Sequence, residues 1–339
     1  MNQPIIDMHC HLVVPSDAHG CWVHPAFMRG LRSRGVAATL GVLSPRELLA
    51  RRMPDPKDLH ERISNKLASN LEASTVDYAT VLAFDGVYTA QGYFDSARTP
   101  KMVTNAAVVA ACAAHKKMLF CASVNPMRRD WEDELDKVLE EGAVMLKWLP
   151  SVMGFDPTER SFARFYQKVR EAQLPLLCHI GMEYALPVIN HDFANVARLE
   201  HMLREGVTVV AAHCCGNVPF REDREQFWQV QQLAEKYHGS LWLDVSGMAS
   251  PHRKTRLRNA IANSVLSERL VFGTDFPVPI WPLAFRREIE LHVRRREHPP
   301  RNYFDLYRYV LAAMGLPRAA YTRGYTVLAP RLERIGKVL

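Results

Sequence analysis

The chain has 339 residues, 48% of them apolar, and a formal charge of +7. That composition supplies a large core and excludes a disordered protein, and so small a surplus of charge over this length gives no strong nucleic-acid footprint. No run approaches the roughly 18 consecutive apolar residues of a membrane span.

The opening MNQPIIDMHCHL lacks the basic start and long apolar stretch of a secretory signal. Seven cysteines is an odd number, and Cys121, Cys178 and Cys214 sit inside apolar runs. Reduced, buried thiols in a cytoplasmic protein explain this better than a disulfide framework.

Eight short apolar runs rich in β-branched residues read as strands buried on both faces. In chain order they are Ile5–Leu12, Tyr78–Asp85, Met118–Asn125, Ala143–Pro150, Leu174–Gly181, Val207–Cys215, Ser240–Gly247 and Leu270–Pro277. Helical spacing of apolar residues falls between them, over Asp130–Glu141, Phe162–Ala172, Asn195–Glu205, Phe227–Tyr237 and Thr255–Leu266. Tyr303–Gly315 and Ala319–Val327 read as closing helices. Strand–helix alternation repeated eight times predicts an α/β fold, a single (β/α)₈ TIM barrel over residues 1–339. An open doubly wound sheet would need a Gly-rich phosphate turn after the first strand, and none is present.

The rhythm breaks once. Residues 13–77 separate the first two strands and carry helical patterns near Pro45–Arg52 and Asp58–Ser74. In a barrel, an insertion after the first strand lies over the C-terminal face, where active sites are built. A lid or substrate-shaping subdomain is expected, with an oligomer contact as the alternative.

His9 and His11 are two apart in the first strand, so both imidazoles face one side, about 7 Å apart at Cα. His179 and His213 end two further apolar runs, and Asp275 ends the last. Each is a polar group that an apolar strand tolerates only with a partner. Four histidines and one carboxylate at strand ends, without a thiolate set, suit a divalent metal, zinc first and Fe²⁺ or Mn²⁺ as alternatives.

Asp7-Met8-His9-Cys10-His11, His179, His213 and Gly273-Thr274-Asp275 resemble the motifs of the amidohydrolase superfamily. The resemblance is strongest to the amidohydrolase-related family that includes aminocarboxymuconate semialdehyde decarboxylase, and it covers nearly the whole chain. It implies that His9, His11, His179 and Asp275 hold one metal, that Asp275 shuttles a proton, and that His213 holds or polarises the attacking water. In binuclear branches, a carbamylated lysine on the fourth strand bridges a second ion. Lys147 stands in that strand, where a polar or substrate-facing amine is the other reading. The resemblance also implies a small-molecule substrate, and a homodimer as the assembly to test.

Other strand-end groups are weaker candidates. Trp148 and Trp281 would wall an apolar ligand or pack in the core. Asp85, Asn125 and Glu183 would line the pocket. Asp244 and Ser246 would orient His213 or Asp275. Arg51, with Arg46 and Arg52 in the same insertion, would clamp a substrate carboxylate or sit on a solvated helix. Cys214 and Cys215 read as small buried hydrophobes. His292 with Arg294, Arg295 and Arg296 reads as a solvated basic face.

Hydrolysis of an amide, lactone or ester-like bond is the expected reaction. Decarboxylation or hydration of a small unsaturated or aromatic acid is the alternative, because it fits the same metal site. A barrel nuclease would open with the same Asp-x-His-x-His, but its Glu-x-Gly-Leu-Asp signature is missing.

Overall fold

The computed structural model describes residues 3–28, 35, 37–38, 40–50, 53–216, 224–292 and 298–339. Arg51, Arg52, Arg294, Arg295 and Arg296 lie outside the described residues, and nothing about the side chain of His292 is described.

Eight parallel strands follow each other around the sheet: β1 (Ile6–His11), β2 (Tyr78–Leu82), β3 (Met118–Ala122), β4 (Met145–Trp148), β5 (Leu176–Cys178), β6 (Val209–Ala211), β7 (Leu241–Asp244) and β8 (Leu270–Val271). The ring closes beyond the end of β8. Met8 N donates to Phe272 O at 2.9 Å, Asp275 N to His9 O at 2.7 Å and His11 N to Phe276 O at 2.9 Å. All eight sequence runs contain a strand, so the expected (β/α)₈ barrel is the observed fold.

The ladders are shorter than the runs because the backbone turns left-handed at the functional ends. His213, Cys214 and Cys215 have φ of 54°, 48° and 56°, and Asp275 has φ of 64°. Non-glycine residues adopt this conformation at a cost of order 1–3 kcal/mol each, which the surrounding bonds must hold. Here Arg256 Nε donates to Cys214 O at 2.8 Å and Arg256 Nη2 to Cys215 O at 3.2 Å.

Two core layers position the site. Inside the barrel, Ile6, Met8, Leu119, Leu177 and Val210 pack with Val327, Leu328 and Leu332 of the last helix, Ala319–Arg334. That helix plugs the N-terminal end. It runs past the expected stop at Val327, and its Arg331 donates to the carbonyls of Ala143, Leu139 and Ala172 at 2.8, 3.0 and 3.3 Å. Outside the barrel, the amphipathic helices pack on the sheet. Asn105–Ala114, with no helical period to betray it because alanine covers every face, supplies the helix after β2.

Between β1 and β2, helix Pro56–Glu72 buries the stripe Leu59, Ile63, Leu67 and Leu71. A two-stranded antiparallel ribbon pairs Trp22–Val23 with Lys101–Met102 across the same face. No sequence signal marks a strand of two residues.

One bulge matters for chemistry. β1 pairs Asp7 with Ala79 but Cys10 with Val81, so β1 carries one extra residue. Met8 therefore stays in the inner apolar plug while His9 and His11 still reach the mouth above it.

Candidate metal centre

His9 Nε2, His11 Nε2 and Asp275 Oδ1 form a triangle with sides of 3.3, 3.2 and 3.5 Å. A tetrahedral ion with bonds near 2.0–2.1 Å sets its ligand atoms ~3.3 Å apart. The three atoms are thus spaced as ligands of one ion, and they form a group of metal-binding dimensions. His9, His213 and Asp244 make a second such group, but there His9 is engaged through Nδ1 by Asp244 at 2.7 Å. His179 belongs to neither group among the described residues. It lines the same cavity, edge-on to His213 with ring centroids 5.0 Å apart. Its buried Nε2 has no hydrogen-bond partner among the described residues, the nearest acid being Glu183 Oε2 at 3.8 Å. A buried nitrogen without a partner costs about 1–3 kcal/mol, which a metal or substrate would relieve.

The rings are held from behind. His9 Nδ1–H donates to Asp244, which leaves Nε2 as a lone-pair donor toward the triangle. Asp244 Oδ1 also accepts the backbone amide of His213 at 2.8 Å, and His213 Nδ1–H donates to Ser246 O at 2.8 Å. Of the two groups the sequence offered Asp244, His213 or Asp275, it holds the backbone of His213, and it also fixes His9. Asp7 accepts from Thr274 Oγ1 at 2.6 Å and from the amides of Thr274 and His9 at 2.9 Å each, tying the end of β1 to the Asp275 turn.

Charge states suit a cation. Burial lowers His11 to about 3 and His179 to about 4, and holds His213 well below 6.5. Burial pushes Asp275 up, but the imidazoles of His213, His11 and His9 outweigh it and keep the carboxyl well below its usual range. Neutral rings beside an anionic carboxylate are a ligand set already deprotonated.

In the metal-free protein the unfolded chain takes up protons on these rings as pH drops below about 6.5, whereas the folded chain resists until about 4 or lower. Stability is therefore full above pH 6.5 and lost as pH falls. Asp7, pushed up to about 7 by burial, acts in the opposite sense, but one carboxyl stands against three imidazoles. Urea unfolding of the metal-free protein should lose a few kcal/mol between pH 6.5 and 4, at ~1.4 kcal/mol per pH unit per net proton. A flat profile would mean that the rings are not held neutral.

A family model for amidohydrolases matches residues 6–298. The chain belongs to the amidohydrolase family. No curated protein matches it in sequence. Among solved structures, this amidohydrolase is similar to a candidate 2-pyrone-4,6-dicarboxylic acid hydrolase from Pseudomonas putida (14% identity, 97% of this chain and 98% of that one, TM-score 0.54). It is also similar to a 4-oxalomesaconate hydratase from Rhodopseudomonas palustris (16%, 98% and 98%, 0.52). A third is a 2,6-dihydroxybenzoate decarboxylase (11%, 97% and 100%, 0.53). At such identities the likeness is one of fold.

The remaining sequence candidates of this amidohydrolase divide. Lys147 is fully buried at the cavity floor, its Nζ 3.4 Å from His9 Nε2, and burial lowers its pKa. Glu183 lines the cavity. Trp148 does not. Its indole is buried among Phe155, Phe165 and Tyr166, and Nε1 donates to Val124 O at 2.8 Å. Trp281 is exposed and outside the cavity, with its backbone amide donating to Ala249 O at 3.0 Å. Asp85 and Asn125 staple loops instead of lining the pocket, Asp85 through Tyr88 and Arg128, and Asn125 through the carbonyls of Gly86 and Met153. Arg46 is exposed. All seven cysteines are free, and burial pushes Cys215 up to about 12, as expected of an inert thiol.

Two cavity residues carried no sequence signal. Lys101 enters from the ribbon and Arg253 from the segment after β7.

Proposed function

We propose that this amidohydrolase is a metal-dependent hydrolase that cleaves an amide, lactone or ester-like bond of a small molecule. The observation that carries this reading is the position of Asp275. One oxygen completes the His9–His11 triangle, and the other stands 3.9 Å from His213 Nε2. A divalent ion held by His9, His11, His179 and Asp275, zinc first and Mn²⁺ or Fe²⁺ as alternatives, would lower the pKa of a water and polarise a carbonyl. Asp275 takes the water's proton and returns it to the leaving group. Because His213 commits Nδ1–H to Ser246, its Nε2 is an acceptor and orients that water by receiving a hydrogen bond.

The cavity above these groups measures about 580 Å³, a size suited to a small molecule. Ala37, Met53, Leu59 and Ile63 of the insertion line it, which supports a substrate-shaping role for residues 13–77. A lyase reading, decarboxylation or hydration, is favoured by one feature: cations of the cavity wall suit an acid substrate.

Metal stoichiometry by anomalous scattering, followed by parallel assays of carbonyl hydrolysis and CO₂ release, tests the proposal. One ion per chain with hydrolysis supports it. Two ions would assign Lys147 to a carbamate bridge, and CO₂ release without hydrolysis would replace the reaction. His179→Ala should lower metal content and turnover together while the melting temperature of the metal-free protein stays or rises, since an unpaired buried nitrogen is removed. Full metal content in that variant would remove His179 from the ligand set.

A further inference from the structure

We infer that the side of the cavity built by the insertion and by the connection after β2 receives an aliphatic arm, so that the bond cut belongs to a medium-chain aliphatic acyl compound. This names the substrate class of the proposed hydrolase and rests on that reading for the bond that is cut. The lining is segregated along the chain. Between Leu12 and Val103, every described lining residue except Lys101 lacks a polar side chain. From Lys147 onward the lining carries His179, His213, Arg253 and Asp275. Around the closed barrel, β1 and β2 stand opposite β5 and β6. The apolar side therefore lies across the mouth from the segments that carry His179 and His213.

Backbone groups on that side are committed as well. Leu59 and Ile63 are buried inside helix Pro56–Glu72, where Leu59 N donates to Asp55 O at 2.9 Å. Phe84 and Val103 are buried, and each donates its amide to the other's carbonyl at 2.8 Å. A polar substrate group pressed against this surface would give up water and gain no partner. A methylene gives up nothing there and gains from leaving water.

The rings of the wall argue for an aliphatic arm over a flat aromatic one. Apart from the imidazoles, the described lining holds two aromatic side chains, Phe84 and Tyr184. Lys101 stands over Phe84, with Nζ 5.5 Å from the ring centroid, and Tyr184 is exposed. A substrate ring thus meets no enclosed, open ring face on which to stack. Leu12, Val14, Leu59 and Ile63 offer branched aliphatic surface instead. The size agrees. A cavity of about 580 Å³ has room for ~19 groups of water size at ~30 Å³ each. With an ion, its water and the reacting carbonyl in place, an arm of about six to ten carbons remains.

Calorimetric titration of the full chain with methyl ketones tests the subsite, because a ketone presents a carbonyl and an alkyl arm without a bond to hydrolyse. From 2-butanone to 2-octanone, affinity should rise about three- to fourfold per methylene, about a hundredfold in all. Acetophenone, with the same eight carbons as 2-octanone, should bind more weakly. So should 7-oxooctanoate, whose chain ends in a carboxylate, by about tenfold or more. A total rise below tenfold, or either comparison compound matching 2-octanone, would overturn the inference. Leu59→Phe and Ile63→Phe put a larger side chain into the same space. Each should flatten the series beyond 2-hexanone at an unchanged melting temperature, and a series as steep as the parent's in both would remove the arm from this helix. The parent series stands without either variant. Binding is also independent of turnover. A steep ketone series with no hydrolysis of aliphatic acyl esters would fault the hydrolase reading alone, and hydrolysis with a flat series would fault the subsite alone.

Discussion

Asp275→Asn is expected to leave the fold standing, retain part of the metal and cut turnover by about three orders of magnitude or more. The fold should survive because asparagine tolerates the left-handed backbone that position 275 requires, φ 64°. The amide oxygen also replaces one carboxylate oxygen in shape. What disappears is charge and basicity. Asp275 lies 3.2 Å from His11 Nε2 and 3.5 Å from His9 Nε2, so a neutral amide there binds a cation more weakly. The second loss is larger, because an amide cannot accept the water's proton. The comparison requires metal content, melting temperature and single-turnover rate on the same preparation. Retained metal with lost rate places Asp275 in proton transfer; near-normal turnover would remove it from the mechanism.

The periodicity of buried strands made the barrel legible, because each strand must end where polar ligands begin, and those ends are what His9, His179, His213 and Asp275 mark. Simple alternation did not tell the whole of β1. The bulge between Asp7 and Cys10 lets Met8 and His9 both serve the barrel's interior, which no period-2 pattern expresses. The direction of support was also hidden. Asp244 belongs to β7, yet its carboxylate holds a ring from β1 and an amide after β6, contacts that exist only once the barrel closes. Trp148 and Trp281 flank strands in the same way in sequence. Only packing shows that one is enclosed by Phe155, Phe165 and Tyr166 and the other is exposed. Lys101 and Arg253 were missed for a related reason. They sit on a two-residue ribbon strand and in a 3₁₀ turn, and such short elements leave no repeat in the sequence.

The support behind the metal ligands should matter almost as much as the ligands themselves, and Asp244→Asn measures this. Asp244 is fully buried and accepts from His9 Nδ1 at 2.7 Å, His213 N at 2.8 Å and Ser246 N at 3.0 Å. All three are donors. An asparagine can turn its oxygen toward His9 or toward the two amides, and its NH₂ then meets a donor on the other side. One orientation frees His9 to rotate or change tautomer, so Nε2 no longer presents its lone pair. The other leaves the left-handed turn at His213 without its anchor. Either way a buried donor goes unmatched, at a cost of about 1–3 kcal/mol in unfolding free energy. Metal affinity should fall 10- to 100-fold, the range typical when a partner behind a ligand is lost. The pH profile supplies a third readout. Burial would raise the Asp244 carboxyl, but His9 and His213 outweigh it and hold it well below its ordinary value. It therefore stabilises the fold above about pH 4 and loses that contribution as pH falls further. The variant, having no carboxyl at this position, should show a shallower decline below pH 4 than the parent. If metal affinity, urea stability and acid profile all match the parent, His9 is oriented by something other than Asp244, and Ser246 Oγ, 3.0 Å from the same Nδ1, becomes the group to change next.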